Sequence, residues 1–277
     1  MKYFVISDIH SFYDEMIDAL NEAGFDKDNE NHTLIVCGDI FDRGKQPLEV
    51  YEYLKSLPRK ILIRGNHEYL LKELYERKIP YTHDVSNGTF DTLAYIVGQP
   101  SYKDFRMSEL FMKAIDGTSV GDYAELNEKY NQKEEEREKK LFNNKKVEEI
   151  INWIFSDEWV NYFELDKYIF VHSFIPLYIH IGTYFDTTRY IDGWREATPK
   201  MWEQATWGCP WELYKNGYNK TGKCIVCGHW HTSDFYNNLD HKDYEKDNNP
   251  IYYSEGLIGL DACTVLSREI NILIVEE

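Results

Sequence analysis

Five short apolar runs in this chain each end on residues that bind metals or turn sharply, and that pattern limits the fold more than any other feature. Tyr3 to Ile6 runs into Ser7-Asp8-Ile9-His10, and Leu34 to Cys37 into Gly38-Asp39-Ile40-Phe41-Asp42-Arg43-Gly44. Ile61 to Ile63 leads to Gly65-Asn66-His67-Glu68, Tyr168 to Val171 to His172-Ser173, and Cys224 to Cys227 to Gly228-His229-Trp230-His231. Runs of this length bounded by Gly or polar residues read as buried strands. Open α/β sheets bind ligands beyond the carboxyl ends of their strands, so the five segments are expected to converge on one crevice.

The segments between the runs support that layout. Tyr13, Met16, Ile17 and Leu20 repeat at helical spacing, Ser11 and Asp14 suggest a capping start, and Pro47 to Leu57 and Tyr69 to Arg77 read as further helices. A βαβαβ rhythm predicts a parallel sheet with right-handed crossovers. Ile258 to Leu260 and Ile270 to Val275 read as closing antiparallel strands, and Asn237 to Asn249 as a polar loop. The 277 residues suit a single domain over 1–277, with about 100–155 as a helical insertion or cap. Within it, Glu135 with Lys139 and Glu136 with Lys140 favour an exposed helix, and Val147, Ile150, Ile151, Ile154 and Phe155 form a face that docks.

The net charge of −17 repels a phosphate-bearing polymer, and no basic cluster offsets it, so no large nucleic acid is expected as partner. No apolar run is long enough for a leader or a membrane span, which makes the cytoplasm the expected location. Cys224-x-x-Cys227 has the spacing of a redox or zinc half-site, but it lies along a strand with no second pair, so packing is its plainer reading. Five of the seven Trp fall between 194 and 230, and Trp194, Trp202, Trp207 and Trp211 are candidates either for a crevice wall or for core anchors.

The ligand-type residues suit two-metal chemistry. Two divalent ions about 3.5–4 Å apart acidify a water and clamp a phosphoryl group, and they need one carboxylate that reaches both. Asp39, after Gly38, is the candidate for that bridge. Asp8 and His10, two apart on an extended strand end, complete one ion, with His231 as a further ligand. Asn66, His172 and His229 complete the other. Carboxylate, imidazole and amide donors together suit Mn²⁺, with Fe or Zn²⁺ as substitutes, better than Ca²⁺.

In spacing and order, Asp8-x-His10, Gly38-Asp39-x-x-Asp42-Arg43-Gly44, Gly65-Asn66-His67-Glu68, Val171-His172 and Gly228-His229 resemble the calcineurin-like metallophosphoesterase superfamily. Asp42-Arg43-Gly44 and Asn66-His67-Glu68 are similar to its phosphoprotein phosphatase branch, which includes bacterial serine/threonine phosphatases and diadenosine tetraphosphate hydrolases. Ser86-Asn87-Gly88-Thr89 with Leu93, and Ile258-Gly259-Leu260-Asp261-Ala262-Cys263, resemble further stretches of the bacterial members. The resemblance implies an α/β four-layer sandwich of two mixed β-sheets flanked by helices. It implies His67 as general acid, Asp42 orienting it, and Arg43 on a phosphate oxygen, with Asn66 and His67 also meeting substrate.

The chain departs from the branch at Ser11, where Gly is usual, and at His231. It also has no Arg between Met201 and Trp211, where a second phosphate clamp is expected. Two enzyme readings follow: a phosphomonoesterase acting on a phosphoprotein or small phosphoester, and a dinucleoside polyphosphate hydrolase or phosphodiesterase. A metal-bound scaffold is the non-enzymatic alternative. Glu68, opening a helix, is read as structural.

Overall fold

A computed structural model describes residues 1–104, 132–180, 187–245 and 247–277. The chain begins β1 (Lys2–Ile6), α1 (Tyr13–Glu22), β2 (His32–Cys37), α2 (Pro47–Ser56), β3 (Lys60–Ile63), α3 (Asn66–Arg77), α4 (Thr82–Ser86) and α5 (Thr89–Ile96). A helical stretch over 132–142 precedes α6 (Lys145–Ile154), then β4 (Trp159–Val160), β5 (Phe163–Glu164), β6 (Tyr168–Phe170), β7 (Tyr178–His180) and β8 (Thr187–Arg189). Beyond these lie α7 (Pro199–Ala205), α8 (Pro210–Lys215), β9 (Cys224–Cys227), α9 (Thr232–Leu239), β10 (Tyr252–Tyr253), β11 (Leu257–Gly259), α10 (Thr264–Ser267) and β12 (Leu273–Glu276).

Two five-stranded mixed sheets carry the fold. In the first, ordered β12-β1-β2-β3-β4, the strands β1 to β4 run parallel and β12 closes antiparallel to β1. In the second, ordered β10-β11-β9-β6-β5, β9 is parallel to both neighbours and the two edge strands are antiparallel. A short hairpin of β7 and β8 stands apart.

Alternation along the strands builds the layers. Val5, Ile35, Ile63, Phe170, Val226 and Ile258 interdigitate in a core between the sheets. Their strand neighbours Phe4, Ile6, Leu34, Val36 and Leu62 face the other way, into a core shared with α1, α2, α3, α5 and α6. Ile169, Ile225, Cys227 and Leu257 do the same on the far side, beneath Trp194, Trp202 and Phe235. Period-2 strands buried on both faces yield the four layers, helix on sheet on sheet on helix.

Four sequence expectations need correction. Ile258 to Leu260 falls largely on β11, which is antiparallel to β10 as expected but parallel to β9, because the crossover through α9 returns the chain in the same direction. The third strand stops at Ile63, and α3 starts at Asn66, so Asn66, His67 and Glu68 occupy the first turn of a helix rather than a strand end. α1 starts after Phe12 with no side-chain cap. Ser11 sits at φ 60 in the preceding turn, and its buried hydroxyl has no partner among the described residues. The polar stretch from Asn237 is helical through Leu239, because Phe235 anchors α9 in the core.

Of the expected 100–155 insertion, 105–131 lies outside the described residues. Its last part follows the apolar pattern: α6 buries Val147, Ile150, Ile151 and Ile154 in the first core. Glu135 and Lys139 pair at 3.9 Å in solvent, where such contacts add little. No helix among the described residues is long and apolar enough to cross a membrane.

Candidate metal centre

Beyond β1 and β2 the backbone turns left-handed at Asp8, His10 and Ser11 and again at Asp39, Asp42 and Arg43, with φ between 49 and 73. Non-glycine residues resist that conformation, so the turns persist only where other bonds hold them, and such strain gathers at functional sites. Here the two loops are zipped together. Asp8 N–H donates to Gly38 O (3.1 Å), His10 N–H to Asp39 O (3.0 Å) and Ser11 N–H to Ile40 O (2.8 Å).

Glu68, on the first turn of α3, binds the same loop from the other side. Its fully buried carboxylate accepts from Asp39 N–H (3.0 Å), Ile40 N–H (2.9 Å) and Gly65 N–H (2.7 Å). Its place at the start of a helix explains only part of this role. Its contact with the Asp39 loop spans residues 28 apart and has no local signal. Burial, and then the Asp39 charge, push its carboxyl up to about 7.

Asp39 is the hub. Oδ1 accepts from His67 N–H (3.0 Å) and lies 3.3 Å from His172 Nε2, while Oδ2 lies 3.9 Å from His10 Nε2 and 3.8 Å from His67 Nε2. Burial opposes its charge, but His172, His67 and His10 outweigh it and hold the carboxyl well below the usual range. Gly65 makes room: a Cβ there would lie 2.2 Å from Asp39 Oδ1.

Ring tautomers decide what these groups can bind. His10 Nδ1 donates to Phe41 O (2.9 Å) and His172 Nδ1 to Cys37 O (2.8 Å), since a carbonyl only accepts. In the neutral rings that metal binding requires, both Nε2 atoms then present lone pairs on the Asp39 side. His172 Nε2 also faces Asn66 Oδ1 at 2.8 Å and His229 Nδ1 at 3.2 Å. Acceptors crowded together without a donor between them fit a cation. Asp39, His172 and His229 offer ligand atoms within 4.8 Å of one another, and so do His10, Asp39 and His67. Burial, then His172, drives the His229 imidazole down to about 3, so it stays neutral.

Asp8 and His231 stand beside these two groups rather than within them. The expected extended strand end is absent, because β1 stops at Ile6 and Asp8 turns at φ 53. Its carboxylate accepts from the Ser7 hydroxyl and from His229 N–H at 3.0 Å, and it lies outside both three-residue groups. His231 sits at the N-cap position of α9 without a side-chain cap bond, about a third exposed, 4.0 Å from the buried Asp261 carboxylate, and it too lies outside both groups.

The His67 ring is paired to a carboxylate. Its Nδ1 lies 2.7 Å from Asp42 Oδ2, which also accepts from the Thr89 hydroxyl (2.7 Å), while Asp42 Oδ1 accepts from Thr92 (2.9 Å). Burial works against a charged imidazole, yet Asp39 and the hydrogen bond to Asp42 raise His67 above its ordinary value. Arg43 Nη2 stands 3.4 Å from His67 Nε2. The Ser86-to-Thr89 stretch reaches this pair through Gly88 at φ 80, where a Cβ would lie 2.6 Å from Arg43 N. Only glycine allows that approach.

The groups surround a cavity of about 170 Å³ that His10, Asp39, Arg43, His67 and His229 share with Trp207. Of the Trp residues expected to wall it or anchor the core, Trp194 and Trp202 are core anchors and Trp207 is a wall. Arg195 is bound to Glu164 (2.7 Å) and Arg189 lies over Tyr178, so neither supplies the second clamp. Cys224 and Cys227 fall in different apolar clusters, on opposite faces of β9, which rules out a shared metal half-site.

Sequence comparison adds the ancestry. An asymmetrical bis(5'-nucleosyl)-tetraphosphatase from Bacillus velezensis is 40% identical over 76 residues, 24% of this chain and 30% of that protein. A symmetrical bis(5'-nucleosyl)-tetraphosphatase from Klebsiella pneumoniae is 38% identical over 76 residues, 27% of this chain and 26% of that protein. The matches thus span less than a third of these curated relatives. A cold-active protein-tyrosine phosphatase of a psychrophilic Shewanella superposes with a TM-score of 0.49 at 14% identity, covering 100% of this chain and 75% of that one. The family model for calcineurin-like phosphoesterases matches residues 1–253, and the chain belongs to that family.

Proposed function

We propose that the chain, acting as one unit over 1–277 with 100–155 as an accessory cap, hydrolyses phosphoric esters with two divalent metal ions. The observation that carries this is Asp39, whose carboxylate faces His10 Nε2 on one side and, with His172 and His229, forms a convergent ligand set on the other. His10 and Asp39, with Asp8 brought in from its bond to His229 N–H, would hold one ion. Asp39, Asn66, His172 and His229 would hold the other, and His231 is the reserve ligand. Mn²⁺ suits the mixed donors, with Fe or Zn²⁺ as substitutes. When bound, the ions supply an acidified water and charge compensation on the phosphoryl oxygens.

The chain's own residues supply the rest. His67 keeps its proton, because Asp42 accepts from Nδ1 and Asp39 lies close, so Nε2–H acts as donor rather than ligand. It donates to the departing oxygen. Arg43, exposed at the cavity mouth and 3.4 Å from that nitrogen, holds a non-bridging oxygen. Glu68 fixes the Asp39 loop and spends none of its own contacts on substrate. A scaffold would need no proton donor, so the paired His67 argues for an enzyme.

The first substrate reading is a phosphomonoester, a phosphoprotein or a small phosphoester, handled in the cytoplasm. A second reading is hydrolysis of dinucleoside polyphosphates, favoured by the names of the relatives and by Trp207 at the cavity. The test is turnover with Mn²⁺ of p-nitrophenyl phosphate, its bis(p-nitrophenyl) diester and diadenosine tetraphosphate, side by side. Preference for the monoester supports the first reading and preference for either other the second. Two bound metals with no turnover of any of the three refutes the hydrolase and leaves the scaffold.

A further inference from the structure

We infer that Trp207 is a stacking platform for a nucleobase carried on the phosphorus substituent that does not depart, so that the site takes nucleotide anhydrides or diesters. The inference rests on the hydrolase reading and, of its two substrate classes, selects the second over the phosphomonoester.

Trp207 is built unlike its neighbours. Trp194 and Trp202 are 0% and 4% exposed and serve as core, whereas Trp207, two residues past α7, is 51% exposed and lines the catalytic cavity. Its place does not depend on burying the ring. Its own N–H donates to Gln204 O (3.2 Å), the Thr206 hydroxyl donates to Glu203 O (2.7 Å), and the Ser173 hydroxyl donates to Gly208 O (2.8 Å). Ser173 follows His172 directly, so the turn bearing the indole is tied to the metal-centre strand. An exposed aromatic ring held in place by its backbone loses little freedom when a ligand stacks on it.

The order of contacts across the site says which part of a substrate reaches the ring. Arg43 touches His67 (3.4 Å), and His67 faces Asp39 (3.8 Å). Asp39 faces His172 (3.3 Å), and His172 faces His229 (3.2 Å). The Trp207 ring then meets the His229 ring edge-on at 6.4 Å. Trp207 thus meets the centre on its His229 side, whereas Arg43 meets it at His67. The leaving group belongs beside His67. What reaches Trp207 is a second substituent on the same phosphorus, which a monoester lacks and an anhydride or diester has. The cavity, about 170 Å³, takes the phosphoryl group and leaves a nucleoside to lie over the rim.

The probes are AMP, a product-type ligand with its base on the retained side, and ribose 5-phosphate, which lacks the base. Their affinities are measured by calorimetry on the Mn²⁺-loaded protein and on Trp207→Ala and Trp207→Phe. The wild type is expected to bind AMP about tenfold tighter than ribose 5-phosphate. Trp207→Ala should remove that preference, with ribose 5-phosphate affinity kept within about twofold, and Trp207→Phe should retain most of it. Absence of a wild-type preference, an equal loss for both ligands, or an unchanged preference in Trp207→Ala overturns the assignment. These readouts need no turnover. A protein that hydrolyses no phosphoester yet shows the base preference would sink the hydrolase reading and keep the nucleobase site.

Discussion

Replacing Thr92 by Val tests whether the Asp42–His67 pair depends on the first turn of α5. Thr92 is fully buried and nearly isosteric with Val, so shape is preserved while two bonds to Asp42 are lost. Its hydroxyl donates to Asp42 Oδ1 (2.9 Å) and accepts from Asp42 N–H (3.1 Å). A bond to a charged group contributes about 1.5–3 kcal/mol, and an orphaned buried donor costs about 1–3 kcal/mol, so the loss should total about 2.5–6 kcal/mol. Thr92→Ser keeps the oxygen and gives up one methyl, about 1 kcal/mol. Urea unfolding of the metal-free protein measures both, with the m-value checking that the transition is unchanged. Turnover provides a second reading. With Asp42 less constrained, His67 should serve a poor leaving group worse, so phenyl phosphate should lose more rate than p-nitrophenyl phosphate. If Thr92→Val lies within about 0.5 kcal/mol of the wild type, or equals Thr92→Ser, the argument that these bonds hold Asp42 is wrong.

Asp39→Asn should lower the affinity for both ions together, and metal analysis showing one site still filled at wild-type strength would remove Asp39 as the shared ligand. Gly65→Ala should displace the Asp39 carboxylate, since the new Cβ would fall 2.2 Å from Oδ1, and should reduce metal content more than the roughly 1–3 kcal/mol of overpacking implies for stability; full metal content would refute it. In the metal-free protein, His229 is held down to about 3 from 6.5 and His67 is raised above 6.5. The His229 contribution to stability is therefore present above pH 6.5 and lost as pH falls toward 3. The His67 contribution is present below 6.5 and lost as pH rises through its folded value. Imidazole carbon NMR should find His229 neutral at pH 5 and His67 still charged above 6.5, and two rings titrating together near 6.5 would contradict both.

The chemistry of the centre was legible because its residues follow directly on apolar runs, and a run's hydrophobicity is a local property. Tyr3 to Ile6, Leu34 to Cys37 and Cys224 to Cys227 all form strands, and the residue types after them mark a candidate metal site by chemistry alone. Helical spacing likewise foretold how α6 docks, since the face of a helix is written into its period.

Pairings between distant parts of the chain were decided only by tertiary structure. No local rule links Glu68 to the backbone of Asp39 and Ile40, or Thr89 and Thr92 to Asp42, because each bond closes a loop of 28 to 50 residues. The orientation of β11 depended on how α9 crosses, and the fate of each Trp on which side of the second sheet it met. Asp8 shows the limit most clearly. Its type and position mark it as a candidate ligand, and only the fold shows that a left-handed turn at φ 53 sets its carboxylate beside the Ser7 hydroxyl and His229 N–H. Residue type sets what a side chain can bind, and the backbone path set by the packed sheets sets what it meets.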